Sequence, residues 1–384
     1  MNRNELIIIE GRSIRQMAYQ LCALADLAGD IRSRCPDKNA LIALKPNLLG
    51  PIRAEEGATT HPQILEGVLS YLQEKGFRNL AVMESSWVGD RTQDALLVCG
   101  IGQLCADMGV PFLDLQKDGS VRVNGAGMEL NVCKKALEAE YLINLPVLKG
   151  HCQTRMTCAL KNMKGCIPAS EKRRFHRMGL HEPIGHLSAA IHQDFILADA
   201  ICPDLTFEDG GNPVELNRLI CAADPVLLDA YGAQAIGLDP RSVRYIDIAR
   251  ECGVGCADTG KAEISLYLEQ RGEQECRYVR ARALPELPWD RGAAAFPVGL
   301  REAVDEVNSC SACYGTLLPV LQKLREEGLL ERLPGKISIG QGFRGRTGEL
   351  GIGDCTHHFR NTIGGCPPDA EEMERFLRAL AEQS

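Results

Sequence analysis

Four cysteines near the C-terminus carry the most specific chemistry in the chain. Cys310 and Cys313 form a C-x-x-C, Cys355 follows Gly351-Ile352-Gly353-Asp354, and Cys366 sits in Gly364-Gly365-Cys366-Pro367-Pro368. Glycines at 340, 342, 345, 348, 351 and 353 separate the two pairs. Four thiolates suit either zinc or an iron–sulfur cluster. Zinc ribbons usually repeat the C-x-x-C knuckle, whereas ten residues lie between Cys355 and Cys366. Iron–sulfur sites accept irregular spacing, often end in Cys-Pro, and use the close backbone approach that glycine permits. The expectation is an iron–sulfur cluster, of 4Fe-4S type, on Cys310, Cys313, Cys355 and Cys366. Zinc, or a redox-active C-x-x-C beside two unrelated cysteines, are the alternatives. His357 and His358 are a neighbouring pair, as readily a surface feature as ligands.

A second constellation spans 144–168. An apolar run ends in Lys149 and His151, and Lys161, Asn162 and Lys164 follow. Between Leu145 and Leu180 stand eight Lys or Arg against one acid, Glu171, in a chain of formal net charge −8. The remainder of the molecule is therefore strongly acidic, and a concentrated positive field of this kind suits an anionic ligand. A helix over 154–165 would put Thr154, Cys158 and Lys161 on one face, with Lys164 a turn beyond Lys161. The bland alternative is a solvated basic face. His151 and His176 flank the lysines and suit acid–base work, while His181, His186 and His192 read as surface or core residues. Gly255 to Lys261 nearly spells a phosphate loop, but Ala262 stands where Ser or Thr should follow and the next segment is strand-like. That motif is rejected.

The elements that must position these groups alternate. Strands are expected at 6–9, 40–44, 80–83, 111–115, 141–148, 195–198 and 219–222. Helices are expected at 13–27, 61–75, 92–108, 225–236 and 243–252, with Ser13 and Thr60 as caps and a hairpin at 121–132 turning at Gly125. Asp199, Asp224 and Asp229 read as capping acids. This pattern predicts an α/β domain over 1–260 with a mainly parallel sheet and flanking helices. Ligands of such sheets lie beyond the carboxyl ends of strands, where Lys45/Asn47, Glu84/Ser85 and Lys149/His151 all fall. A charged strand-like stretch at 261–282 and prolines at 285, 288 and 297 lead to a smaller α+β, cysteine-containing unit over 285–384. Its elements are a helix near 314–327, a strand at 336–339, a glycine-rich loop and a final helix at 369–381.

The chain has 384 residues, 45% hydrophobic and 24% charged, with a pI near 5.6. The length suits about two domains. The acidity argues against a nucleic-acid partner, and no apolar run approaches the roughly 18 residues of a membrane span. With no signal-like N-terminus, a cytoplasmic protein is expected. Seventeen cysteines there read as metal ligands, catalytic thiols or small hydrophobes rather than disulfides. Cys22, Cys99, Cys105, Cys133 and Cys221 belong to the last class.

Lys45-Pro46-Asn47, Leu145 to His151, Ala159 to Gly165 and Ala223 to Ala230 resemble, in order, the motifs of the domain of unknown function family 362. The similarity covers about 41–253. That family is often associated with ferredoxin-type iron–sulfur segments, although this chain lacks the compact ferredoxin run. A more distant resemblance is to the N-terminal domain of nickel-dependent lactate racemase, where His151, Lys161 and His176 look like the His-Lys-His series. There the lysine carries a nucleotide-like cofactor and the histidines act as acid and base. Lys-Pro-Asn departs from that family's acid-and-Arg loop.

Together these readings describe an iron–sulfur oxidoreductase acting on, or with, an anionic small molecule and exchanging electrons with a redox partner protein. Lys45, Asn47, Lys149, Asn162 and Lys164 would bind the substrate or a nucleotide-like cofactor, and His151, Lys161 and His176 would be catalytic. A racemase- or isomerase-like enzyme with a structural cluster, and a non-enzymatic electron-transfer or metal-binding protein, are the two alternatives.

Overall fold

The computed structural model describes residues 1–271, 276–287, 289, 300, 302–307, 309 and 311–383. Cys310 lies outside the described residues. The chain divides into two compact units. The first comprises Met1–Gly150, Thr154–Phe175 and Leu180–Ala294, and the second His151–Gln153, His176–Gly179 and Ala295–Ser384.

The first unit is built on nine strands: β1 (Glu5–Glu10), β2 (Ile42–Pro46), β3 (Leu80–Glu84), β4 (Phe112–Asp114), β7 (Tyr141–Leu145), β10 (Phe195–Ala200), β11 (Arg218–Ala222), β12 (Glu263–Arg271) and β13 (Cys276–Arg280). A separate hairpin pairs β5 (Ser120–Gly125) with β6 (Met128–Cys133), and β8 (Lys149–His151) pairs with β9 (Arg155–Thr157). The large sheet runs β13-β12-β1-β11-β10-β7-β2-β3-β4. Its β10-β7-β2-β3-β4 stretch is parallel throughout, whereas β11 runs antiparallel to both neighbours. The fold is therefore mixed α/β with a mostly parallel sheet, as the alternating pattern predicts.

Period-2 alternation sends successive side chains to opposite faces. Leu6, Ile8, Ala43, Leu142, Ile196 and Ile220 enter one core, and Ile7, Ile9, Leu44, Ile143, Leu197 and Leu219 enter the other. Both faces are thus covered, which explains why these strands read as unbroken apolar runs. Each fully buried Leu or Ile contributes roughly 1.5–3 kcal/mol.

Several local expectations need correction. Residues 154–165 are not one helix: β9 takes Arg155–Thr157, a short helix takes Ala159–Asn162, and a 3-10 turn takes Met163–Cys166. The helix expected over 92–108 is broken at Gly100, whose φ of +73° is left-handed. Thr60 does not cap the helix Pro62–Glu74; its hydroxyl donates to the Leu145 carbonyl and accepts from the Asn47 N–H. Ser13 likewise makes no cap and donates to Glu269. Asp224 does cap Pro225–Ala235, accepting from the N–H groups of Val226 and Leu227.

The second unit carries a four-stranded parallel sheet in chain order, β14 (Val304–Glu306), β15 (Ile337–Ile339), β16 (Leu350–Ile352) and β17 (Asn361–Ile363). The glycine-rich stretch is therefore not a continuous loop, because β16 lies within it. Helices Ser311–Glu326 and Ala370–Gln383 bury Leu317, Leu321, Leu324, Met373 and Leu377. Lys323 pairs with Glu374, and Arg378 with Glu327, across the two helices.

Candidate functional site

In the first unit the ends of β2, β3 and β7 meet in one buried polar frame. Lys45 has no exposed surface, and its Nζ lies 2.6 Å from Glu84 Oε2. The other oxygen of Glu84 accepts the Ser85 N–H at 2.7 Å. Three asparagines make a chain beside this pair. Asn47 Nδ2 donates to Asn162 Oδ1 at 2.9 Å, Asn162 Nδ2 donates to Asn144 Oδ1 at 2.7 Å, and Asn144 Nδ2 donates to Gln193 and to the Ala159 carbonyl. Buried amides of this kind are affordable only when paired, and here they lock strand ends to the Ala159–Asn162 helix.

Lys149 is also buried. Its ammonium donates to the carbonyls of Ala58 at 2.6 Å and Glu208 at 2.9 Å, and more weakly to Asn47 Oδ1 at 3.4 Å. Burial, with Lys161 adding repulsion, pushes its pKa down to about 8. Lys161 donates to Thr157 Oγ1 at 3.0 Å and to Glu208 Oε2 at 3.1 Å. Asp229, reaching from the Pro225–Ala235 helix, accepts the N–H groups of Ala159 and Leu160 and so holds the start of the helix bearing Lys161. Lys172 donates to the carbonyls of Ser85 and Ser86 and to Ser85 Oγ, and burial pushes it down to about 8 as well.

The positive surplus read from the sequence is thus met largely from within. Glu84 faces Lys45, Glu208 faces Lys161, and carbonyl oxygens face Lys149 and Lys172. The structure brings together Lys45, Asn47, Lys149, Lys161 and Asn162, with Lys164 half-buried on the next turn. Sequence reading missed Glu208 and Lys172. Gly165 is a requirement of the frame, since a Cβ there would stand 1.6 Å from Glu84 Oε1 and 2.7 Å from Lys45 Nζ.

His151 and His176 belong to the second unit, so the expected catalytic set divides, with Lys161 in the first. His151 is buried, and its Nδ1 accepts the Gln153 N–H at 3.0 Å. His176 is half-buried, and its carbonyl accepts from Gln341 at 3.5 Å.

Also in the second unit, Cys313, Cys355 and Cys366 line one cavity of about 20 Å³, together with Arg344, Gly353 and Gly365. Gly353 and Gly365 have φ of +85° and +124°, in the region that favours glycine. A Cβ on Gly353 would stand 3.7 Å from Cys313 Sγ. Arg344 Nε lies 3.5 Å from Cys355 Sγ. The three thiols are half-buried to exposed, whereas Cys22, Cys133, Cys166 and Cys221 are buried with their thiols pushed up by desolvation. Thiolates are the ligand form, so the accessible set suits a metal and the buried set does not. The donor set fits a thiophilic centre. The void, at about 20 Å³, has room for one ion.

Among the described residues no helix is long and apolar enough to cross a membrane. The chain is 27% identical over 213 residues to Thylakoid-associated protein sll1697 of Synechocystis sp., a match spanning 53% of this chain and 64% of that relative. The lactate racemase apoprotein from Thermoanaerobacterium thermosaccharolyticum aligns with a TM-score of 0.37 and 12% identity, over 59% of this chain and 57% of that one. The family model described as "Domain of unknown function (DUF362)" matches residues 42–234, half of the chain, and the chain belongs to that family.

Proposed function

We propose that this protein is an iron–sulfur oxidoreductase, with its metal centre in the second unit and an anion-binding frame in the first. The observation that carries the reading is the convergence of Cys313, Cys355 and Cys366 on one glycine-walled cavity. Cys310, three residues before Cys313, lies outside the described residues and supplies the fourth thiolate by its place in the C-x-x-C. When bound, such a cluster transfers single electrons. Arg344 lies beside the sulfur of Cys355, and the glycines bring the backbone close. A redox partner protein exchanges electrons with the centre.

The frame around Lys161 is where an anionic substrate or nucleotide-like cofactor binds. Such a ligand would replace the Glu208 carboxylate on Lys161, so its affinity is a difference between two anions. Lys161→Ala should abolish retention of a co-purifying anion seen by native mass spectrometry. Unchanged retention would remove Lys161 from the binding set. A reducing, cytoplasmic setting keeps the buried thiols reduced.

One observation favours a second reading. A void of about 20 Å³ accommodates one ion as the thiols stand, which suits structural zinc. Metal and acid-labile sulfide analysis on anaerobically purified protein separates the two, because zinc brings no sulfide.

A further inference from the structure

A second thiol site lies in the first unit. His61, at the start of the Pro62–Glu74 helix, is buried, and its Nδ1 sits 2.8 Å from Asp199 Oδ2. The same carboxylate oxygen accepts the His61 backbone N–H at 2.9 Å, fixing the residue twice. On the opposite edge of the ring, Nε2 lies 3.5 Å from Cys202 Sγ. Cys202 is a half-buried free thiol on the segment that follows β10. A sulfur, an imidazole and a carboxylate in this order place a proton-carrying group between a nucleophile and the carboxylate that orients it.

The charges around the ring favour the imidazolium. Burial opposes it, but the Asp199 carboxylate outweighs that cost and raises His61 to about 10. The 3-10 turn Ala54–Glu56 packs against the sulfur through the carbonyls of Ala54 and Glu55, at 3.7 and 3.9 Å, while the Glu55 and Glu56 carboxylates are exposed. Asp204, two residues beyond Cys202, is occupied by the N–H groups of Thr206, Phe207 and Asn212. Among the described residues, His61 is the ionisable side chain shown within hydrogen-bond distance of the sulfur.

We propose that Cys202 is a site of oxidation by hydroperoxides, with His61 as proton donor and Asp199 as the residue that positions it. The sulfur attacks the distal peroxide oxygen; an S–O bond forms and the O–O bond breaks. His61 Nε2–H protonates the departing hydroxide or alkoxide, giving water or alcohol, and the proton of the Cys202 thiol passes back to Nε2. Sulfur loses two electrons to the peroxide and becomes a sulfenic acid. The two carbonyl oxygens beside the sulfur favour this product over an acyl intermediate. A sulfenic O–H can donate to Ala54 or Glu55, whereas a carbonyl-derived oxyanion would meet acceptors where it needs donors.

Full-length protein exposed to limiting hydrogen peroxide with dimedone at pH 6.5, followed by peptide mass spectrometry, tests this. Cys256, an exposed thiol of the same unit, serves as the internal reference. Cys202 should acquire the adduct at least tenfold faster than Cys256. His61→Gln and Asp199→Asn should each bring Cys202 to within about twofold of Cys256, with the Cys256 rate unchanged. Equal rates at the two cysteines in the unmodified protein would overturn the proposal without recourse to any variant. So would a Cys202 rate unaffected by His61→Gln in a variant that melts like the parent.

Discussion

Lys45 and Glu84 are buried together, so each depends on the other. Lys45→Met leaves the Glu84 carboxylate in a dry frame with the Ser85 N–H as its remaining hydrogen-bond donor among the described residues. Breaking a buried pair by removing one member costs about 3–5 kcal/mol, so the urea midpoint of Lys45→Met should fall markedly. Lys172 gives a pH signature. Its folded pKa of about 8 lies below the ordinary 10.5. Between those values the unfolded chain binds the extra proton, so this residue's contribution to stability rises with pH from about 8 to about 10.5 and is lost as pH falls through 8. Urea midpoints at pH 7.5 and 10 should show the parent gaining on Lys172→Met at the higher pH. A constant difference between the two proteins would contradict the depressed pKa.

Among the elements, the short Ala159–Asn162 helix matters most, because it presents Lys161 and Asn162 to the strand ends. Four residues cannot hold a helix by propensity, and Asp229 provides what they lack by accepting two of its N–H groups. Asp229→Ala should cost about 1–3 kcal/mol per orphaned buried N–H, read as a lower melting temperature. This element also marks where sequence reading succeeds and fails. The strand ends were legible, since apolar runs closing on Lys45, Glu84 and Lys149 report burial and direction at once. The helix over 154–165 was misread because Arg155 to Thr157 turns back as β9, and the short run has no period that separates strand from helix. The Leu350–Ile352 strand was hidden the same way, three residues among glycines. Pairings such as Lys161 with Glu208, or His61 with Asp199, join residues 47 and 138 positions apart. No local pattern announces them.

At the scale of the whole molecule, the two units divide the chemistry. Buried lysines and asparagines frame the strand ends of the first, and Cys313, Cys355 and Cys366 converge in the second. A metal held by the second unit stabilises that unit by its binding free energy. Hydrogen exchange after metal removal by chelator should therefore rise across 311–383, while the sheet strands β2, β3 and β7 keep their protection. Equal loss in both units would show that the metal does not reside where the cysteines converge.

The most direct measurement is iron, zinc and acid-labile sulfide analysis, with visible absorption, on anaerobically purified protein and on its Cys355→Ser variant. The account predicts brown protein with iron and sulfide in equal amounts, about four of each per chain for the cubane type, and loss of most of both in the variant. Colourless protein carrying a single zinc, or iron and sulfide untouched by Cys355→Ser, would contradict it.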